Sequence, residues 1–239
     1  MIRKWKTPGG SCPAVILDML NQPHLLIAGS TGSGKSVLIN TLIYTALYNS
    51  PGKTQFILID PKRVELIDYR PLPHTLLYAS EPADIAAALD NAVDVMESRY
   101  RHMQRKRIKK SNAAHVYIVV DEFADLMTTQ KRQTMPNIIR LAQLGRAANV
   151  HLILATQRPT KDIVNGQIKV NMDSRVGLRC PTAQDSRNII NIKGAETLPR
   201  YGYGYYLTPN CCDLISIPST PPDEIAARIK WWTRQKAWF

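Results

Sequence analysis

Cysteine is scarce in this sequence, and what there is does not pair. Cys12, Cys180 and the adjacent Cys211 and Cys212 are the only four, and their spacing is that of neither a zinc site nor a redox dithiol, so a reduced cytosolic chain is expected. Long apolar runs are also missing. Stretches such as Ala14 to Leu17 or Leu152 to Ala155 fall far short of the roughly 20 residues that cross a bilayer. The opening Met1-Ile2-Arg3-Lys4-Trp5 has no apolar heart of a secretory signal, so any recruitment to a membrane has to come from a partner. There is no internal repeat and no long low-complexity region. Negative charge is in short supply, with 19 Asp and Glu against 31 Lys and Arg and a formal net charge of +12. That balance suits a polyanionic partner, nucleic acid or an anionic membrane face, although a merely soluble basic protein has the same arithmetic.

Apolar residues are plentiful. The chain has 239 residues, 44% of them hydrophobic, enough for one substantial core with at most a small appendage. The whole chain is expected to be one domain: residues 1–22 as a lead-in strand or loop, 23–217 as the core, and 218–239 as a Pro-rich linker and helix. That tail holds Pro218, Pro221 and Pro222, then Trp231, Trp232, Trp238 and Phe239. Such aromatics either cap a core or, if exposed together, mark a partner surface.

Short apolar runs bounded by polar residues predict buried strands at His24 to Ala28, Phe56 to Ile59, Val116 to Val120 and His151 to Ala155. Between them lie helical patterns over roughly Lys35 to Tyr48, Pro82 to Arg107 and Pro136 to Ala148. Alternating strands and helices predict an α/β fold with a mainly parallel sheet covered on both faces. The cations Arg99, Arg101, Arg105, Lys106, Arg107, Lys109 and Lys110 close the second helix. They fit a solvated helix end complementing the dipole, or a contact with DNA.

Gly29-Ser30-Thr31-Gly32-Ser33-Gly34-Lys35-Ser36 has the G-x-x-x-x-G-K-S spacing of a phosphate-binding loop, placed between a predicted strand and a predicted helix as that motif requires. Glycines there let backbone N–H groups turn inward around a phosphate, Lys35 reaches the β and γ oxygens of ATP, the Ser36 hydroxyl holds Mg2+, and Val37 completes the nucleotide-holding set. A second buried strand runs into Asp121-Glu122, a Walker B pattern in which Asp121 orders Mg2+ and Glu122 polarises the attacking water. The strand ending at Ala155 leads into Thr156-Gln157-Arg158; an amide at Gln157 is placed to sense the γ-phosphate and the lytic water. Upstream, Arg146 is either an ordinary surface cation or a guanidinium that stabilises transition-state charge in a neighbouring subunit.

Taken together, these residues resemble the FtsK/SpoIIIE DNA translocases, within the larger group that includes HerA-like and conjugative coupling ATPases. The resemblance runs from Pro23-His24-Leu25-Leu26-Ile27-Ala28-Gly29 through the phosphate loop, Ile59-Asp60-Pro61-Lys62 with Glu65-Leu66, and Val120 to Met127. It continues with Arg146-Ala147-Ala148, Leu154-Ala155-Thr156-Gln157-Arg158-Pro159 and Asp185-Ser186-Arg187.

It implies a RecA-like P-loop NTPase that forms a homo-oligomeric, hexameric ring around double-stranded DNA and advances by ATP hydrolysis. Lys35 and Ser36 would then be the Walker A pair, Asp121 and Glu122 the Walker B pair, Gln157 the sensor and Arg146 the trans-acting finger. Asp60 and Lys62 match a family motif near the subunit junction. Phosphate contacts that pass any DNA sequence are expected from two basic loops, one with Lys131 and Arg132 and the other with Lys161, followed closely by Lys169 and Arg175.

Against the family pattern, Arg200 and Tyr203 replace a more usual Gly and Asp. The chain looks like a bare motor, for which a membrane-anchored or DNA-processing partner would supply further domains. A type VII secretion-like ATPase acting on proteins and an ATP-binding regulatory module without turnover are the competing expectations.

Overall fold

A computed structural model describes residues 22–234; Cys12, most of the expected lead-in segment, Trp238 and Phe239 lie outside them. Eight strands form one sheet in the order β3-β2-β4-β5-β1-β6-β7-β8. The central four of its six parallel strands are β1 (His24–Ala28), β2 (Thr54–Ile59), β4 (His115–Val120) and β5 (Val150–Thr156), at the places the apolar runs predicted. With β3 (Thr75–Ala79) and β6 (Ser174–Gly177) they are paired in parallel, whereas β7 (Tyr203–Leu207) and β8 (Cys212–Ser216) continue the sheet antiparallel.

Side-chain alternation sorts the core into two layers. Leu26, Ala28, Ile57, Ile59, Ile118, Val120, Leu152 and Leu154 face the layer made by α2 (Pro82–Lys106), α3 (Phe123–Thr129), α4 (Lys131–Leu144), α5 (Gly166–Asn171) and α6 (Ala183–Ile190). Leu25, Ile27, Phe56, Leu58, Val119, Ile153 and Ala155 face the other, with α1 (Lys35–Asn49) and α7 (Pro222–Arg234). Both faces being covered, β1 and β5 are buried at every residue, which is why they show no apolar–polar alternation.

Two departures from expectation have local causes. The helix predicted to begin at Pro136 begins at Lys131, with Pro136 inside it. Proline is favoured in a first turn, but here it is exposed, so its ring and missing donor face solvent. Lys131 and Arg132 therefore open α4 and do not lie on a loop. At the far end the helix stops at Leu144, short of the predicted Ala148, as the chain turns back toward β5 at Gly145, where a β-carbon would lie 2.4 Å from Val150 O and 2.6 Å from Leu141 O.

Arg99 leaves the cationic run of α2 to donate to Ala148 O at 2.7 Å and Asn149 O at 3.2 Å, tying down the α4–β5 turn. Arg101, Arg105, Lys106, Arg107, Lys109 and Lys110 remain exposed at that helix end. In the tail, Trp232 is buried edge-on against His74 while Trp231 is exposed. Among the described residues no helix is long and apolar enough to cross a membrane, and no cluster of His, Cys, Asp or Glu is arranged to hold a metal ion by itself.

Candidate nucleotide site

In open α/β sheets ligands collect at the carboxyl ends of the strands, and here β1 delivers its chain into the phosphate loop between β5 and β6. Gly29 N donates to Thr156 O at 3.2 Å and Ser30 N to Arg179 O at 2.8 Å, pinning the loop to both neighbours. Gly32 and Gly34 have positive φ, 71° and 96°, a region open to glycine at little steric penalty. Gly29 needs to be small for another reason: a β-carbon there would meet Ser33 Oγ at 2.4 Å. Helix α1 then starts at Lys35 with no acidic residue in its first turn and no side-chain cap, leaving its amino-terminal N–H groups for an anion. Ser33 Oγ is buried without a hydrogen-bond partner. Cradle and orphaned hydroxyl both fit a phosphate.

Across the loop, Lys35 Nζ donates to Asp121 Oδ1, with both side chains buried. Burial pushes the Asp121 carboxyl above its ordinary value, against the pull of Lys35. Glu122 stands at the β4–α3 corner with φ 59° and ψ 61°, a left-handed conformation that is unfavourable by about 1–2 kcal/mol for a residue with a side chain. Its carboxylate is held on both oxygens. Thr156 Oγ1 and Gln157 N donate to Oε1 at 3.1 and 3.0 Å, and Lys62 Nζ donates to Oε2 at 3.0 Å. Burial works to raise this carboxyl, but the Gln157 N–H and Lys62 outweigh it and leave the group below its ordinary value. Burial disfavours the charge on Lys62 in turn, and the hydrogen bond it donates to Glu122, with the attraction of that carboxylate, more than offsets it, raising the ammonium.

Gln157 closes the circuit. Its backbone grips Glu122 while its side-chain Oε1 accepts from Thr31 Oγ1 at 2.9 Å, so one residue touches both the phosphate loop and the acidic corner. The expected residues Lys35, Asp121, Glu122 and Gln157 are thus brought together around the loop. Lys62, matched only as part of a motif, and Thr156 join them. Neither pairing follows from the chain pattern, because both depend on β2 and β5 flanking β4.

Arg146 is elsewhere. It is exposed in the turn before β5, whereas Gln157 follows the end of that strand. The seven residues of β5 span roughly 23 Å at about 3.3 Å each, so Arg146 cannot reach the phosphates of its own loop. Of the expected DNA-contacting cations, Lys131, Arg132 and Lys161 are exposed. Lys169 lies on α5 and not on a loop. Arg175 is a correction: it is buried in β6, donating to Met172 O, Ile189 O and Lys169 O at 2.9, 3.3 and 2.6 Å. Three carbonyls satisfy its guanidinium, so it holds α5 and α6 to the sheet and offers nothing to a ligand.

A glycine-rich loop between a central strand and a helix, with an acidic corner two strands away on a mainly parallel sheet, defines a RecA-like P-loop NTPase. Within that class the chain belongs to the FtsK/SpoIIIE family, whose pattern it matches over residues 8–118 and 110–161. It is 45% identical over 205 residues to the DNA translocase FtsK of Lactiplantibacillus plantarum, an alignment covering 77% of this chain and 26% of that protein. The chain thus spans about a quarter of the length of the curated relatives it matches.

The fold is shared with the pCW3 conjugation coupling protein TcpA, solved in its monomer form with ATPγS. TM-score is 0.79 at 22% identity, over 90% of this chain and 66% of that one. The cytoplasmic domain of the Thermomonospora curvata type VII secretion ATPase EccC superposes with TM-score 0.73 at 25% identity, over 88% of this chain and 28% of that one.

Proposed function

We propose that this chain is the ATP-hydrolysing motor unit of a double-stranded DNA translocase, acting in the cytoplasm as a homo-hexameric ring and recruited, where membranes are involved, by a partner. One observation carries the reading: Glu122 is held as a carboxylate between Lys62 and Gln157, beside a phosphate loop whose Lys35 is paired with Asp121. A binding module without turnover has no use for an oriented, ionised carboxylate at that corner.

ATP would lie with its β-phosphate in the Gly32 to Ser36 turn. Lys35 would exchange Asp121 for the β and γ oxygens. Ser36 and Asp121 would hold Mg2+, which supplies charge neutralisation for the phosphates. Asp121 fits such a cation: it is buried and its charge is disfavoured there. Glu122 orients and polarises the attacking water once Lys62 frees Oε2, and Gln157 registers the γ-phosphate through Thr31. Arg146 completes the site of a neighbouring subunit.

Duplex DNA would be contacted through phosphates by Lys131, Arg132 and Lys161, which follow the two strands that carry Glu122 and Gln157. The decisive experiment measures ATPase rate with and without duplex DNA alongside oligomeric mass. Strong stimulation with a ring-sized mass is the expected result; a monomer silent towards DNA overturns it.

The likeness to EccC at 25% identity favours a second reading, an ATPase acting on polypeptides. Salt separates the two. DNA affinity that falls steeply with ionic strength, as counterion release demands, supports the translocase, and absence of DNA binding at low salt supports the other.

A further inference from the structure

The groups suited to γ-phosphate chemistry all lie on one side of β1. Asp121 and Glu122 follow β4, Thr156 ends β5 and Gln157 follows it, while β6, β7 and β8 lie on the other side. A nucleotide whose last phosphate points at Glu122 therefore directs its opposite end toward β6 and β7. What the chain presents there is the segment leading into β7. A β-carbon on Gly32, at the apex of the phosphate loop, would lie 3.4 Å from the Tyr201 hydroxyl and 3.9 Å from its Cζ; one on Gly34 would lie 4.0 Å from Gly202 N.

Tyr201 is 63% exposed, so its ring borders the loop with much of its surface open to a ligand. Gly202, with φ 81°, has nothing within 4 Å of where a side chain would be, which makes a flat opening beside that ring. The segment is anchored: Ile217 N donates to Gly202 O at 2.8 Å, and Leu198 is buried.

We propose that Tyr201 and Gly202 form the base subsite of this enzyme, the Tyr201 ring stacking on the purine of the bound nucleoside triphosphate and Gly202 providing the clearance for it. This inference rests on the phosphate loop holding a nucleoside triphosphate. An aromatic face is tolerant of base identity and gains with stacking area, so a purine is favoured over a pyrimidine. The residues on either side, Arg200 and Tyr203, are both exposed.

The test titrates the full chain with ATP and, in parallel, with inorganic tripolyphosphate, both with Mg2+, by calorimetry. Tyr201→Ala is expected to weaken ATP about tenfold, the scale of one base–aromatic stack, to leave tripolyphosphate within about twofold, and Tyr201→Phe to match wild type for both. Unchanged ATP affinity in Tyr201→Ala, an equal loss for both ligands, or a loss in Tyr201→Phe as large as in Tyr201→Ala would each overturn the subsite while leaving the nucleotide reading intact. A wild-type chain that binds neither ligand would remove the nucleotide reading and this proposal with it.

Discussion

The Lys62 ammonium stands 3.0 Å from Glu122 Oε2, joining the end of β2 to the acidic corner after β4. Lys62→Met keeps the aliphatic stem and removes the charge that helps hold the Glu122 carboxyl low. The acid limb of the ATPase kcat/KM profile is expected to move to higher pH, because the limb reports the carboxyl that must be ionised for turnover. A limb that stays where it is in the variant would show that Lys62 does not set the ionisation of Glu122.

Glu122→Gln retains a polar side chain of the same shape but cannot polarise water as a carboxylate does. Hydrolysis is expected to fall at least about 100-fold, the range of one general acid–base group, while ATP remains bound. Comparable rates in the variant and wild type would remove Glu122 from the chemistry.

Lys35→Ala has two consequences, because its partner Asp121 is buried. Nucleotide binding or productive phosphate placement is lost. The stranded carboxylate also destabilises the fold by about 3–5 kcal/mol, the scale for breaking a buried ion pair from one side. Denaturant melts of Lys35→Ala and of the double variant Lys35→Met with Asp121→Asn separate the effects: the double variant should regain most of the stability and none of the ATP binding.

Arg146→Ala is expected to abolish turnover, and mixing it with subunits that supply Arg146 but lack Glu122 is expected to restore part of it. Rates measured across mixing ratios decide the matter, since a residue acting only within its own subunit gives no rescue at any ratio.

Acid should weaken the fold through its buried histidines. His24 opens β1 and His151 is the second residue of β5, and burial lowers them from 6.5 to about 4 and about 3 respectively. His151 Nδ1 lies 3.2 Å from Pro23 O and its Nε2 lies 2.8 Å from His115 Nδ1, so with Nδ1–H donating to the carbonyl and Nε2 accepting from His115, the His151 ring has no free nitrogen for a second proton. Between about pH 6.5 and pH 4 the unfolded chain takes up protons that the folded one refuses, so stability is full above that window and falls as pH drops through it. At about 1.4 kcal/mol per pKa unit, His24 alone accounts for roughly 3 kcal/mol. Urea midpoints at pH 7 and pH 5 measure this, and His24→Gln should flatten the difference.

How much of this was legible depended on whether a residue's role is local. The phosphate loop, the four central strands and the tips carrying Asp121, Glu122 and Gln157 follow from runs buried on both faces and from what stands at their ends. β3 escaped because it is an edge strand with Leu76 and Leu77 exposed. β6 is four residues long and contains an arginine, whose burial becomes intelligible only once three carbonyls from other segments surround it. The bonds of Glu122 to Lys62 and of Thr31 to Gln157 required the strand order, which no pattern along the chain contains.

The rigid bar formed by β5, with Gln157 past one end and Arg146 before the other, has a consequence for how such a motor is regulated. If Arg146 serves a neighbouring copy, as proposed, each chain would hold a socket past one end of that strand and a plug before the other, and could not complete its own site. On that proposal, lone subunits would spare ATP until enough of them meet, and turnover per molecule would climb with protein concentration before levelling off once rings are complete.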